Sequence, residues 1–197
     1  QQLDIKYLPP MFDIAKKIRQ NYILKKITDP DRVKFIPNIN DVKKIGLMIT
    51  IGEEGEWNIV YHFVKAMEKM GKKVNIIGYQ KNGIEINYII THAQTTICHE
   101  NGDLNFWGVP KEGICDNFHN IGYDIFVDLS NENDFFYKYV ALKTNSNFKI
   151  TYQNTEAEDD YDILKNEIYD MSIRGEGPMD VKEYLNNIVN YLSIIQK

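Results

Sequence analysis

The residues of this chain that could do chemistry fall into three groups. Asp128 lies near the end of the apolar run YDIFVDLS (residues 123–130), with Ser130 and Asn131 directly behind it. A carboxylate held at the carboxyl end of a buried strand can serve as a general base or bind a ribose hydroxyl. Asp, Ser and Asn at a strand-to-helix turn also bond nearby backbone amides. Catalysis and turn-making therefore compete for the same side chain. Asp128 is the candidate catalytic residue.

The second group is IGEEGEWN (residues 51–58). Dinucleotide binding wants G-x-G-x-x-G, so that backbone amides and a helix N-terminus meet a pyrophosphate. Only Gly52 and Gly55 are present, with Glu53, Glu54 and Glu56 around them. Three carboxylates aimed at a phosphate would repel it unless a metal intervened. Acidic residues at a helix start also stabilise the helix dipole, which is the simpler role. Gly52, Glu53, Glu54, Ser130 and Asn131 form the candidate ligand-binding set. The chain has no G-x-x-x-x-G-K-[ST] and no G-x-S-x-G, so P-loop and α/β-hydrolase chemistry lack their key residues.

The third group is Cys98, His99, Glu100, Cys115 and His119. Cys115 and His119 stand four apart and can share a helix face. No paired C-x-x-C is present and the two clusters fall on separate elements, so idle thiols and surface imidazoles are expected rather than a zinc site. No metal and no cofactor is assigned.

Positioning these groups requires alternating strands and helices. Residues 43–51 and 73–79 read as strands, with an amphipathic helix between them that ends at Gly71. Its face carries Ile59, Val60, Phe63, Val64, Met67 and Met70. A strand is expected near residues 95–100 and a short helix around KEGICDNF (residues 111–118). Residues 123–130 are apolar almost without a break, as in a central strand covered on both faces. Phe135, Phe136, Tyr139 and Val140 supply the next helical face. Residues 148–153 and 167–173 read as further strands, with an acidic loop at residues 155–162 between them. Asp180, with Glu183 three residues on, marks the start of a final helix.

Strand–helix alternation implies right-handed crossovers and a largely parallel sheet. The expected fold is an α/β, three-layer αβα, Rossmann-like domain over residues 43–197. If the strand order is the common doubly wound one, the strands ending at residues 51 and 128 are neighbours.

Residues 1–42 read as a basic helical arm. Over residues 11–27, Phe12, Ile14, Ala15, Ile18, Tyr22 and Ile23 can share one apolar stripe, expected to pack on the sheet or on a second copy of the chain. Lys16, Lys17, Arg19, Lys25 and Lys26 decorate the rest. Residues 1–44 hold ten Lys/Arg and five Asp/Glu, a net of +5, against −10 for residues 45–197. An acidic partner is the alternative occupant: a protein, a macromolecular complex or a membrane surface. Nucleic acid is disfavoured, since few aromatics interleave the charges.

With 197 residues, 43% of them apolar and 26% charged, the chain can bury one core. No apolar run reaches the roughly 20 residues that span a bilayer. The chain opens on Gln1 and shows no signal-peptide pattern. Two cysteines make no disulfide framework, and free thiols suit a reducing cytoplasm.

KKIGLMIT, KAMEKMGKKVNIIGY, DLNFWGVPK, the stretch from Tyr123 to Ile150 and EYLNNIVNYLSII together resemble a family of uncharacterised small bacterial proteins common in Bacteroidetes, a domain of unknown function. That resemblance implies no activity. More distantly, YDIFVDLS with ALKTNSNFKI looks like a segment in the N-terminal half of heptosyltransferase-type glycosyltransferases. Such enzymes hold a nucleotide sugar with a second Rossmann-like domain, for which this chain has no room. The reading leans away from an enzyme, towards a non-catalytic interaction or binding module. The alternatives are a small enzyme or ligand-binding domain for a nucleotide-sugar-like or other polar metabolite, and a ribosome- or membrane-associated factor acting through the arm.

Overall fold

Six parallel strands make one sheet in the computed structural model, in the order β3-β2-β1-β4-β5-β6. The structure describes residues 10–27, 34–84, 88, 94–130, 132–156 and 167–195. The strands are β1 (Lys44–Ile51), β2 (Lys73–Gln80), β3 (Thr95–His99), β4 (Tyr123–Asp128), β5 (Ser146–Asn154) and β6 (Met171–Gly175). The helices are α1 (Pro10–Lys26), α2 (Glu54–Lys69), the kinked turn α3 (Glu100–Asp103), the short α4 (Asp116–His119), α5 (Phe135–Lys143) and α6 (Val181–Ile194). This is the expected three-layer, Rossmann-like arrangement.

The reversal of winding lies between β1 and β4, which pair in parallel with Met48 opposite Asp128. The two candidate loops are therefore neighbours, as the doubly wound order requires. The nearly unbroken apolar character of both strands follows from cover on both faces. On one face, Ile45, Leu47, Ile49 and Val127 pack with Val60 and Val64 of α2 and with Leu185 and Ile188 of α6. On the other, Met48, Ile77 and Phe126 pack with Phe136 and Val140 of α5 and with Leu24 of α1. Gly46 in β1 makes room for the Tyr123 ring, since a Cβ there would sit 3.0 Å from two ring carbons.

Polar groups fasten the strand ends. Asp124 turns away from the strand-end loops and accepts the amides of Lys43 and Lys44 at 2.7 and 2.9 Å. Lys72 is buried and donates Nζ to the carbonyls of Ile39 and Val42 at 2.6 and 2.8 Å. Its pKa is lowered by burial, against the pull of Asp124 and Asp41. The Ile39 amide reaches the Leu192 carbonyl of α6 at 3.1 Å, and Ile39 and Val42 join the core. Asp180 caps α6 by accepting the Glu183 amide at 2.9 Å, as the spacing predicted.

Three sequence expectations change. The short helix expected over residues 111–118 is one turn, α4. The last strand starts at Met171: Glu167 and Ile168 are helical, and Ile168 and Tyr169 are buried in the core without joining the ladder. Most of the acidic loop, residues 157–162, lies outside the described residues.

The third change concerns α1. Its contact face consists of Lys16, Gln20, Ile23, Leu24 and Ile27, of which Leu24 is buried. Gln20 donates Nε2 to the Trp107 carbonyl at 2.9 Å. Of the expected apolar stripe only Ile23 is half-buried. Phe12, Ile14, Ala15, Ile18 and Tyr22 are exposed. The helix is apolar on two sides, and the narrower one, around Leu24, faces the body.

Candidate functional site

The carboxyl ends of β1 and β4 are stitched together from inside. Thr50 Oγ1 donates to the Ser130 carbonyl at 3.4 Å, and it lies 2.7 Å from the Tyr137 hydroxyl of α5. Asp128 is 2% exposed. Its Oδ1 accepts both the amide and the hydroxyl of Ser130, at 2.8 and 2.6 Å. Its Oδ2 accepts the Tyr169 hydroxyl at 2.5 Å. The first of these contacts is the Asx-type turn that favours Asp at a strand end. Burial, together with the Asp128 carboxylate, pushes the Tyr169 phenol well above its ordinary pKa. The hydroxyl thus stays a donor. The side chain proposed for catalysis points into the protein and is held there by Ser130 and Tyr169.

The β1 loop meets this network only at its rim. Residues 52–56 are exposed, while Trp57 turns back into the core. Tyr88 donates its hydroxyl to the Gly52 carbonyl at 2.5 Å. Burial first, then Glu54, Glu56 and Glu53, raise the Tyr88 pKa. Gly52, Glu53 and Glu56 border a cavity of about 20 Å³ that is walled by Ile49, Trp57, Leu129 and Val181. That is space on the order of one water, far below the roughly 300 Å³ at which small-molecule pockets begin. Glu54 and Glu56 lie in the first turn of α2, where they complement its dipole. Of the candidate ligand set, Gly52 and Glu53 share this rim and Ser130 belongs to the Asp128 network. Glu54 is exposed outside the cavity lining, and Asn131 lies outside the described residues.

A larger cleft of about 380 Å³ opens elsewhere, between α1 and the strand ends. Asp13, Lys16, Lys17 and Gln20 of the arm form one wall. Tyr79, Glu100, Asp134 and Phe136 contribute to the other. Tyr79 stacks on Phe136 with ring centroids 4.1 Å apart. Its pKa is raised, by burial first and then by Glu100. Lys81 pairs with Glu132 at 2.8 Å and with Asp134 at 3.7 Å beside this entrance. Sequence reasoning passed over the cleft because its two walls are some 60 residues or more apart in the chain and no motif marks either.

The sulfur-bearing group is more organised than its spacing suggested. Cys98 on β3 and Cys115 before α4 are both buried free thiols. Each thiol shifts the titration of the other, and His119 acts on that of Cys115. The Cys98 contact lowers the Cys115 pKa to about 6; burial opposes this and His119 assists. Cys98 is shifted upward by its contact with Cys115 and by burial. His119 is 6% exposed, not the surface imidazole expected. Thr144 Oγ1 spends its proton on the Val140 carbonyl at 2.7 Å. At 3.3 Å from that oxygen, His119 Nδ1 is therefore the donor. His99 and Glu100 are exposed, and Glu100 accepts the Asn82 amide at 2.8 Å. Among the described residues no three of His, Cys, Asp or Glu are placed to hold a metal ion.

One buried charge was missed altogether. Lys149 sits inside β5 with no exposed surface and donates Nζ to the Ala141 carbonyl at 2.7 Å. It meets the last turn of α5, where helix carbonyls lack partners and a cation is favoured. A lysine within the apolar run FKITY was the only available signal. Among the described residues, no helix is long and apolar enough to cross a membrane.

Comparison with curated proteins gives no match. Residues 15–195 match a family of unknown function, DUF6913. That span takes in the paired β1 and β4 ends, most of the cleft beneath α1 and the thiol cluster, and it places the chain in the DUF6913 family.

Proposed function

We propose that this chain is a non-catalytic interaction module whose arm carries the contact. One contrast supports the reading. Beside the paired carboxyl ends of β1 and β4, the cavity bordered by Gly52, Glu53 and Glu56 offers about 20 Å³ of space, and Asp128 turns inward. Meanwhile α1 leaves Ile14 and Ile18 59% and 66% exposed on its outer side. Large apolar side chains left on solvent in this way mark contact surfaces when they are contiguous.

The test pairs two measurements. Thermal shift with nucleotides, nucleotide sugars and divalent metals is expected to move the melting midpoint by less than the width of the replicate scatter. Affinity purification from cells is expected to retain a macromolecule on the parent chain and lose it on the Ile14→Ser/Ile18→Ser variant. A nucleotide-dependent shift that Asp128→Asn abolishes would replace this reading with catalysis or ligand binding at the strand ends.

The 380 Å³ cleft supports a second reading, a site for a small polar metabolite. Lys16 and Lys17 would meet its anionic groups and the Tyr79 edge its ring or apolar part. A ligand whose stabilising shift disappears in Lys16→Ala/Lys17→Ala favours it.

A further inference from the structure

We infer that the outer face of α1 docks on an anionic lipid membrane. The inference rests on the interaction-module reading and names the partner of that same surface.

Ile14, Ile18 and Tyr22 are spaced four apart and form a ridge along α1. The ridge is about 12 Å long at 1.5 Å per residue. It lies opposite the side on which Gln20, Leu24 and Ile27 meet the body. Phe12, at the start of the same helix, is 48% exposed. Phe106, 59% exposed, is on the loop that Gln20 holds, so apolar exposure beside the arm extends past the helix.

Charge on the helix is sorted as well. Arg19, Lys25 and Lys26 are all exposed, and Arg19 and Lys26 approach the Tyr22 ring at 5.3 and 4.6 Å. The one acid of the helix, Asp13, lines the cleft towards the body together with Lys16 and Lys17. The outward half of α1 therefore offers apolar groups and cations with no carboxylate among them. Residues 45–197 carry a net charge of −10, so an anionic surface repels the body and attracts the arm. That opposition orients the molecule with α1 towards the surface.

The shape and charge favour lipid over other occupants. A convex ridge has no hollow for a small molecule. A nucleic acid would meet Ile14, Ile18 and Tyr22 where its phosphates need cations. A second copy offering the same face would set cations against cations. A headgroup layer supplies anions around the ridge and acyl carbon beneath it. Lysine stems can lie along such a boundary with their charges in the headgroups.

The full chain is tested by flotation with vesicles of phosphatidylcholine alone and of phosphatidylcholine mixed with phosphatidylglycerol, at low and high salt. The expected result is binding to the anionic vesicles only, weakened by salt. Ile14→Ser/Ile18→Ser is expected to reduce binding about tenfold or more. Lys25→Glu/Lys26→Glu is expected to abolish it. All four positions are exposed, so both variants should keep the parent melting midpoint, which separates lost contact from lost folding. No binding by the parent, equal binding to neutral vesicles, or unchanged binding in both variants overturns the inference. If vesicles fail but a protein, a nucleic acid or a second copy associates in an Ile14- and Ile18-dependent manner, lipid is excluded and the module reading stands. If nothing distinguishes the variants from the parent, both fall.

Discussion

Tyr169 reaches across 41 positions of sequence to donate its hydroxyl to Asp128 Oδ2. That contact ties the segment before β6 to the end of β4 and occupies the carboxylate most suited to catalysis. Tyr184 is also buried, but among the described residues its hydroxyl has no hydrogen-bond partner. The two tyrosines should therefore respond differently to the same deletion. Tyr169→Phe is expected to lose about 1.5–3 kcal/mol, the range for a hydrogen bond to a charged group. Tyr184→Phe is expected to be neutral or stabilising by up to about 1 kcal/mol, since it removes a buried group that is not satisfied. Urea unfolding of the two variants decides the matter, and equal losses would mean that the Asp128 contact carries no special weight.

The thiol pair makes stability depend on pH. Both cysteines start from an ordinary value of 9.0, and folding lowers Cys115 to about 6. Between those values the unfolded chain holds more protons, so stability rises with pH from about 6 to about 9. Its contribution is complete above the unfolded value and disappears as pH falls through the folded one. Cys98 is shifted upward, so above pH 9.0 it works in the opposite direction. Melting midpoints of the parent minus those of Cys115→Ser should therefore climb across neutral pH. A flat difference would show that folding does not favour the Cys115 thiolate.

Gly46 sits beneath the Tyr123 ring, and that ring is backed by Phe118 at 5.0 Å between centroids. The aromatic group has little freedom to retreat from an added methyl. Gly46→Ala is expected to cost about 1–3 kcal/mol through overpacking. Calorimetry of the variant gives the number, and no loss would mean that the ring can shift after all.

Lys72 carries two backbone carbonyls on one ammonium. Lys72→Met keeps the length of the side chain and removes the donor. The expected loss is about 1–3 kcal/mol, the cost of leaving buried acceptors unpaired. Hydrogen exchange should report it locally, as faster exchange of the Ile39 amide, which leans on α6 from the same segment.

The sheet was legible because its central strands are buried on both faces and so spell long apolar runs. Residues 44–51 and 123–128 needed no partner to be recognised. β6 was placed too early because Ile168 and Tyr169 look like strand residues; they are buried under the sheet's end without pairing. The outward face of α1 was misjudged for a related reason. Helical periodicity reports which residues share a side, and α1 has apolar residues on two. Which side docks depends on Trp107 and α5, far off in sequence. The Asp128 turn was readable from Asp-x-Ser alone. Its closure by Tyr169, and the service of Lys149 to α5, required the folded chain.

The adjacency of β1 and β4 also dictates an order of assembly. During synthesis β2 can join β1 soon after both emerge, since Lys44 and Lys73 are close in sequence. The opposite edge of β1 must wait for Ile125 and Phe126, some eighty positions later. In that interval Ile45 and Leu47 present an unpaired, greasy margin to the cell. A nascent chain halted before Tyr123 should for that reason draw in chaperones, and one halted after β5 should release them.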